Sequence, residues 1–243
     1  MKNFILVVLG LAFLVFPACK EKTDPTPPPV TSANASGSVN LYDEGTTSED
    51  NSGMQVKIID SDPELSATTD DEGDWTFEDL EYGTYSVAFE KDNYGTYKLF
   101  DLTHKNGSSF MSTIPSLGEK SSTEVVSLSQ ELFEQSILIS AYCTPEANSS
   151  NTNYLRFFIG LTDSVSSTQY MHYSLVYSSN DDPHVFTITQ EQLTGYGYDS
   201  GTTVYIRVYG ESFWSNTYLD PDLGQIFPNL NPNAVDAISF VVP

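Results

Sequence analysis

The sequence predicts an all-β protein, two tandem antiparallel β-sandwiches behind an export signal and a Pro-rich tether. Nearly every periodic segment alternates apolar and polar residues with period two, and none carries a sustained helical stripe. The strand candidates are short and rich in Val, Ile, Thr, Tyr and Phe. Clusters of Gly, Asp, Asn, Ser and Pro separate them, as in sandwiches and open barrels.

The N-terminus comes first. Lys2 supplies a positive charge, and residues 4–16 form an uncharged apolar stretch of thirteen residues. That length suits a signal core and falls short of the roughly 20 apolar residues that span a bilayer. The stretch ends in Phe16-Pro17-Ala18-Cys19, which resembles the lipobox of bacterial lipoproteins; Phe16 and Pro17 depart from the usual residues. The resemblance implies a signal peptide at 1–18, cleavage before Cys19, and lipidation of that cysteine, hence attachment to a membrane. Residues 19–33, Pro- and Thr-rich and without an apolar cluster, are expected to be an extended tether. No later apolar stretch is long enough to span a bilayer. With Cys19 acylated, Cys143 has no disulfide partner, and its apolar surroundings predict a small buried hydrophobe.

About 210 residues remain after the tether, enough for two domains of ordinary size, and the composition break at Leu117 to Ser122 divides them. Strands are expected in residues 34–118 near 35–42, 54–60, 65–69, 74–79, 83–90, 95–102 and 108–114. Tyr85, Val87 and Phe89 share one face, and Trp75 and Phe77 alternate with Thr76 and Glu78. One buried and one wet face is what an antiparallel sandwich sheet requires. In residues 121–243 the strands are expected near 123–129, 136–143, 154–161, 169–177, 184–189, 203–209 and 237–242, with one helical turn at Gln190 to Leu193.

The segment from Thr69 to Phe77, with its acidic Asp70-Asp71-Glu72-Gly73 turn, followed by Leu80 and Gly83-Thr84-Tyr85, resembles the carboxypeptidase regulatory-like family. Ser36-Gly37-Ser38-Val39 and Gln55-Val56-Lys57-Ile58 fit its opening strands. The resemblance implies a transthyretin-like sandwich that carries no catalytic residues. Asp199 to Tyr209 resembles the penultimate-strand region of fibronectin type III-like domains, with Val204 where the corner tyrosine usually stands. It implies an immunoglobulin-like second sandwich.

Charge and chemistry narrow the function. Ten basic against 33 acidic residues give a net charge of −23, and loss of Lys2 with the signal leaves −24. A chain this acidic repels nucleic acid and anionic surfaces. The three histidines, His104, His172 and His184, stand in no zinc-peptidase spacing. Gly210-Glu211-Ser212 lacks the second glycine of a nucleophile elbow. The acidic residues around Asp60 and Asp70 could offer oxygens to calcium, but their spacing lacks the Gly and closing Glu of an EF-hand loop, and solvated turns are the favoured reading. No enzyme, cofactor or metal is therefore expected.

Ligand contact falls on the second domain. Tyr205, Arg207 and Tyr209 project opposite Val204, Ile206 and Val208, with Trp214 and Tyr218 downstream; Tyr154, Arg156 and Phe158 form a similar triplet. Aromatics beside an arginine can stack on sugar rings or anchor a protein, and can equally pack between domains or fill the second face of a buried sheet. Similar lipoproteins are those of Bacteroidetes. The resemblance implies a non-catalytic binding or scaffolding module of the cell envelope, at the outer membrane, for a glycan or another envelope protein. The alternative is a pilin-like or adhesin subunit. It is disfavoured because no arginine precedes Arg156 to serve the maturation cleavage such subunits use.

Overall fold

Alternation becomes burial strand by strand. The computed structural model describes residues 31–105, 110–111 and 113–243. The signal segment, Cys19 and the tether up to residue 30 lie outside the described residues. The described residues form an all-β fold with one short helix, and residues 31–243 cluster as a single compact unit. None of the described helices is long and apolar enough to cross a membrane.

In the first sandwich, β1 (Ser32–Ser38) pairs antiparallel with β5 (Asp74–Glu81), and β2 (Asn40–Tyr42) pairs parallel with β8 (Ser116–Gly118). The facing sheet is ordered β4 (Ser66–Thr68), β3 (Gln55–Ile58), β6 (Gly83–Glu90), β7 (Tyr97–His104). Between them lie Val39, Leu41, Trp75 and Phe77 from one side and Val56, Ile58, Val87 and Phe89 from the other. Trp75 meets Phe77, Phe89 and Phe110 edge-on, at 5.5, 6.4 and 5.9 Å between ring centroids. The β4–β5 turn closes at Gly73, whose φ of +87° favours glycine. A Cβ there would stand 2.2 Å from the Val39 carbonyl oxygen, so the tightness of the turn also excludes a side chain.

The second core lies between the sheet β14 (His184–Thr189), β10 (Ser136–Thr144), β9 (Glu124–Phe133) and a sheet built on β11 (Asn153–Gly160), β15 (Thr203–Glu211) and β18 (Ile238–Val241). Leu155, Phe157 and Ile159 of β11 and Val204, Ile206 and Val208 of β15 all point into it. A helix α1 (Gln190–Gly195) follows β14. Its start is fixed by a capping box in which Thr189 Oγ1 accepts from Gln192 N–H while the Gln192 side chain accepts from Thr189 N–H.

Four differences from the sequence expectation have physical causes. First, β1 begins at Ser32 rather than residue 35, because Ser32 and Ala33 pair with Glu81 and Leu80 and Tyr82 N–H donates to Thr31 O. Backbone pairing, not side-chain pattern, draws the end of the tether into the sheet. Second, the strand expected at 108–114 is not formed by its described residues. Phe110 and Met111 are buried as core plugs, and β8 carries the pairing instead. Third, the strand expected at 169–177 is split into β12 (His172–Tyr173) and β13 (Tyr177–Ser179). Between them Phe157 N–H is taken by the Ser174 hydroxyl rather than by a ladder carbonyl, and Leu175 is thrown out to 82% exposure. Fourth, a small ribbon of β16 (Tyr218–Asp220) and β17 (Gly224–Ile226) was not expected; its turn has Asp220 accepting from Asp222 and Leu223 N–H.

Cys143 is buried, as its surroundings predict, and burial pushes its thiol up to about 11, with Asp182 adding to the rise. In protein lacking residues 1–30, a thiol-modifying reagent at pH 8 should therefore leave Cys143 untouched until denaturant unfolds the chain. Stoichiometric labelling of the native protein would contradict this placement.

Candidate functional site

The five residues expected to meet a ligand take part in different sets of contacts. Tyr205 and Tyr209 belong to a third cluster on the far face of the β11–β15 sheet, with Phe158, Val165 and Phe227 at its buried centre. Tyr209 is buried there, so a ligand reaches it only by displacing its neighbours. Arg207 lies over the Tyr209 ring at 5.5 Å and donates to Ala234 O at 3.0 Å. Trp214 packs on Tyr42 of the first sandwich at 5.0 Å, and Tyr218 on Tyr97 and Phe100 at 5.8 and 6.3 Å. All except Tyr209 keep partial exposure.

Arg156 explains why the far face had to be covered. It is 4% exposed, and its partner Glu211 is 0% exposed, with 2.9 Å between Nε and Oε2. The guanidinium also donates to Ser174 O and lies 5.0 Å from the Phe227 ring centre and 5.7 Å from that of Tyr173. Burial lifts the Glu211 carboxyl to about 7, against the pull of Arg156.

Where the sandwiches meet, polar bonds accompany the Tyr42–Trp214 and Tyr97–Tyr218 ring contacts. Asn229 is fully buried; its amide nitrogen lies within hydrogen-bond distance of Gly118 O, Trp214 O and Asn216 Oδ1 at 3.0, 2.7 and 2.8 Å. Its own Oδ1 accepts from Gly95 N–H at 3.2 Å, and its carbonyl from Ser121 N–H at 2.8 Å. A Cβ on Gly95 would sit 2.2 Å from Pro228 O, so the approach depends on glycine. The expected linker is held residue by residue: Glu119 and Lys120 donate to Tyr42 O and Asn93 O. Phe213 N–H donates to Glu44 O, and the Ser212 hydroxyl donates to Glu119 O.

The surface best suited to a ligand lies elsewhere, in an open groove of about 620 Å³ between the β12–β13 segment and α1. It is lined by His172, Tyr173, Leu175, Tyr177, Gln192 and Tyr196, and no Asp, Glu, Lys or Arg takes part. The His172 ring stacks on Tyr196 at 3.4 Å and 19°. Tyr177 stacks on Phe157 and Phe186 at 5.8 and 5.6 Å, so its ring is fixed from within the core. Burial lowers the His172 pKa and raises that of Tyr177, leaving a neutral imidazole and a protonated phenol at pH 7. The groove thus offers flat ring surface with neutral donors and acceptors at its rim. Period-two reading missed it because the break at Ser174 and a residue beyond the helix, Tyr196, build it jointly.

Other chemistry-bearing residues do not gather. His104 Nε2 lies between Ala33 O and Leu80 O at 3.2 and 3.1 Å, and His184 is buried in β14. Among the described residues, the side chains close enough to share an ion are the exposed Asp70, Asp71 and Glu72 of the β4–β5 turn. Exposure and turn geometry account for them: Asp70 accepts from Asp74 N–H at 2.8 Å.

No protein-family model matches the chain, and no curated protein does. Solved structures give weak likenesses. A candidate carbohydrate-binding protein from Bacteroides uniformis is 16% identical over 86% of this chain and 98% of its own, with a TM-score of 0.31. A DUF3823 family protein from Bacteroides ovatus is 13% identical over 87% of this chain and 100% of its own, also at 0.31. A chain of a type II cohesin–X–dockerin complex from Acetivibrio cellulolyticus is 26% identical over 36% of this chain and 58% of its own, at 0.30. Scores of this size establish neither a common topology nor a common ligand.

The Glu211 carboxyl generates a pH prediction. Its folded pKa lies above the unfolded value of about 4.3, so its contribution to stability is complete below pH 4 and is lost as pH rises through about 7. Glu211→Gln cannot titrate. Melting curves at steps from pH 4.5 to 8 should show the wild-type Tm falling relative to that of the variant. A gap independent of pH would contradict the burial of an ionisable pair.

Proposed function

We propose that this chain is a non-catalytic binding module of the bacterial cell envelope, held to the outer membrane through a lipid on Cys19. Its ligand is a neutral glycan, taken in the groove beside α1. The observation that carries the reading is the uncharged aromatic lining of that groove in a chain whose net charge is −23. A chain so acidic selects against anions everywhere. A patch free of acids, with the His172–Tyr196 stack and the fixed Tyr177 ring, matches the apolar faces and hydroxyl edges of a sugar. The resemblance of residues 34–118 to a carboxypeptidase regulatory-like domain and of 121–243 to an immunoglobulin-like domain fits this reading, in which the first sandwich spaces the second from the anchor. The candidate carbohydrate-binding protein among the weak likenesses is compatible with it and adds no weight.

The rival location for the same ligand is the set expected from sequence, of which Trp214 and Tyr218 remain partly exposed. Binding to a panel of neutral oligosaccharides separates the two. Tyr196→Ala should weaken binding at least tenfold, as loss of a stacking ring does. Because Tyr196 lies at the rim of the core, its Tm should drop little. Trp214→Ala should leave affinity unchanged. Loss of binding in the Trp214 variant alone would move the site to the seam, and no binding to any neutral glycan would end the glycan reading.

A further inference from the structure

The longest strand among the described residues, β9, is largely exposed. Strand β9 pairs with β10 along its whole length. On its other edge, the pairing found among the described residues is a single bridge, Val125 to Ala234, at its very start. From Ser129 to Glu134 every residue is exposed.

The inward row loses its cover along the strand. Ile137 of β10 is 1% exposed, whereas Leu132, its register partner on the same face of the sheet, is 59% exposed. Along β9 the inward row runs from Val125, fully buried, through the half-buried Leu128 to this exposed leucine. Phe133, at the hairpin tip, is 58% exposed. The sandwich therefore closes at one end of β9 and gapes at the other. Among the other edges, β4, β12 and β13 have only two or three residues, and β7 is met by Tyr218 and by an ion pair from Lys98 to Asp220. The opposite edge of the same sheet, β14, keeps its inward row of His184, Phe186 and Ile188 buried. An edge of this length would ordinarily be guarded by Lys, Pro or a covering element; β9 contains neither residue.

We propose that β9 is an acceptor edge for strand addition, and that its partner is an extended segment of another protein in which Lys or Arg alternates with apolar residues. Main-chain hydrogen bonds along Ser127 to Phe133 would supply the pairing, and the apolar row of the added strand would cover Leu128 and Leu132. Charge selects the partner. Glu124, Glu131 and Glu134 lie on or beside β9, and no Lys or Arg occurs between Ser121 and Tyr154. A second copy would bring more acid to an acidic edge, since each chain carries −23.

The test uses the full chain and three labelled peptides: Lys-Val-Lys-Val-Thr-Val-Lys, the same peptide with Glu for Lys, and a version of equal charge with the central Val and Thr replaced by Pro. The first should bind at least tenfold more tightly than either of the others. It should slow amide exchange at residues 127–133. Leu132→Lys should reduce its affinity at least tenfold with Tm unchanged, while Tyr196→Ala leaves it intact. Equal binding of the Pro peptide would mean attraction to net charge alone and would overturn the proposal. So would absence of protection in β9, or a dimer of the free chain that Leu132→Lys dissolves.

Discussion

Asn229 holds together what two separate cores would leave apart. One buried carboxamide bonds to Gly95 of the first sandwich, to Gly118 at its last strand, and to Trp214 and Asn216 of the second. The bond to the Gly118 carbonyl is buried, and a buried polar group left unpaired costs about 1–3 kcal/mol. The hub is satisfied only while both sandwiches keep their places. Polar closure is directional where hydrophobic contact is not, so it fixes orientation as well as proximity. The short connecting segment follows the same logic: Glu119 and Lys120 donate to Tyr42 O and Asn93 O of the first sandwich, and Ser121 donates to Asn229 O of the second. What reads as a linker in composition is structural in the fold.

A rigid seam bears on function through the second sandwich. Its β11–β15 sheet is covered on both faces, by the main core on one side and by the Phe158–Phe227 cluster on the other. The Arg156–Glu211 pair sits under that second cover. An ion pair at such depth is weak support for stability, since desolvation offsets its attraction. Here the guanidinium also anchors the break at Ser174 by donating to its carbonyl. That break turns Tyr177 toward the core and Leu175 toward water, and so shapes one wall of the aromatic groove. The groove is thus a consequence of a buried charge.

Much of this was legible in the chain. Strict alternation located most strands to within a few residues, because a sheet with one buried face leaves a period-two trace. The helical turn expected at Gln190 to Leu193 falls within α1. The destinations of the polar-face aromatics were not legible. Tyr205, Arg207 and Tyr209 alternate correctly out of the main core, but alternation cannot say whether water or another layer lies beyond. The cover comes from Val165, Tyr170 and Tyr173 together with residues 227–237, a Pro- and Asn-rich stretch that carries no strand pattern. Asn229 was invisible for the same reason. Its importance lies in four partners distant in sequence, and an Asn among Pro and Asn looks like an ordinary turn.

The claim on which the account rests is that the two sandwiches behave as one body because Asn229 joins them. Differential scanning calorimetry of the chain from Thr31 onward, with and without Asn229→Leu, tests it most directly. The account predicts one cooperative transition for the wild type. In the variant it predicts two separated transitions, because leucine keeps the branched shape of the side chain and removes every side-chain hydrogen bond. Two transitions in the wild type, or a variant that melts as one unit at an unchanged temperature, would contradict it.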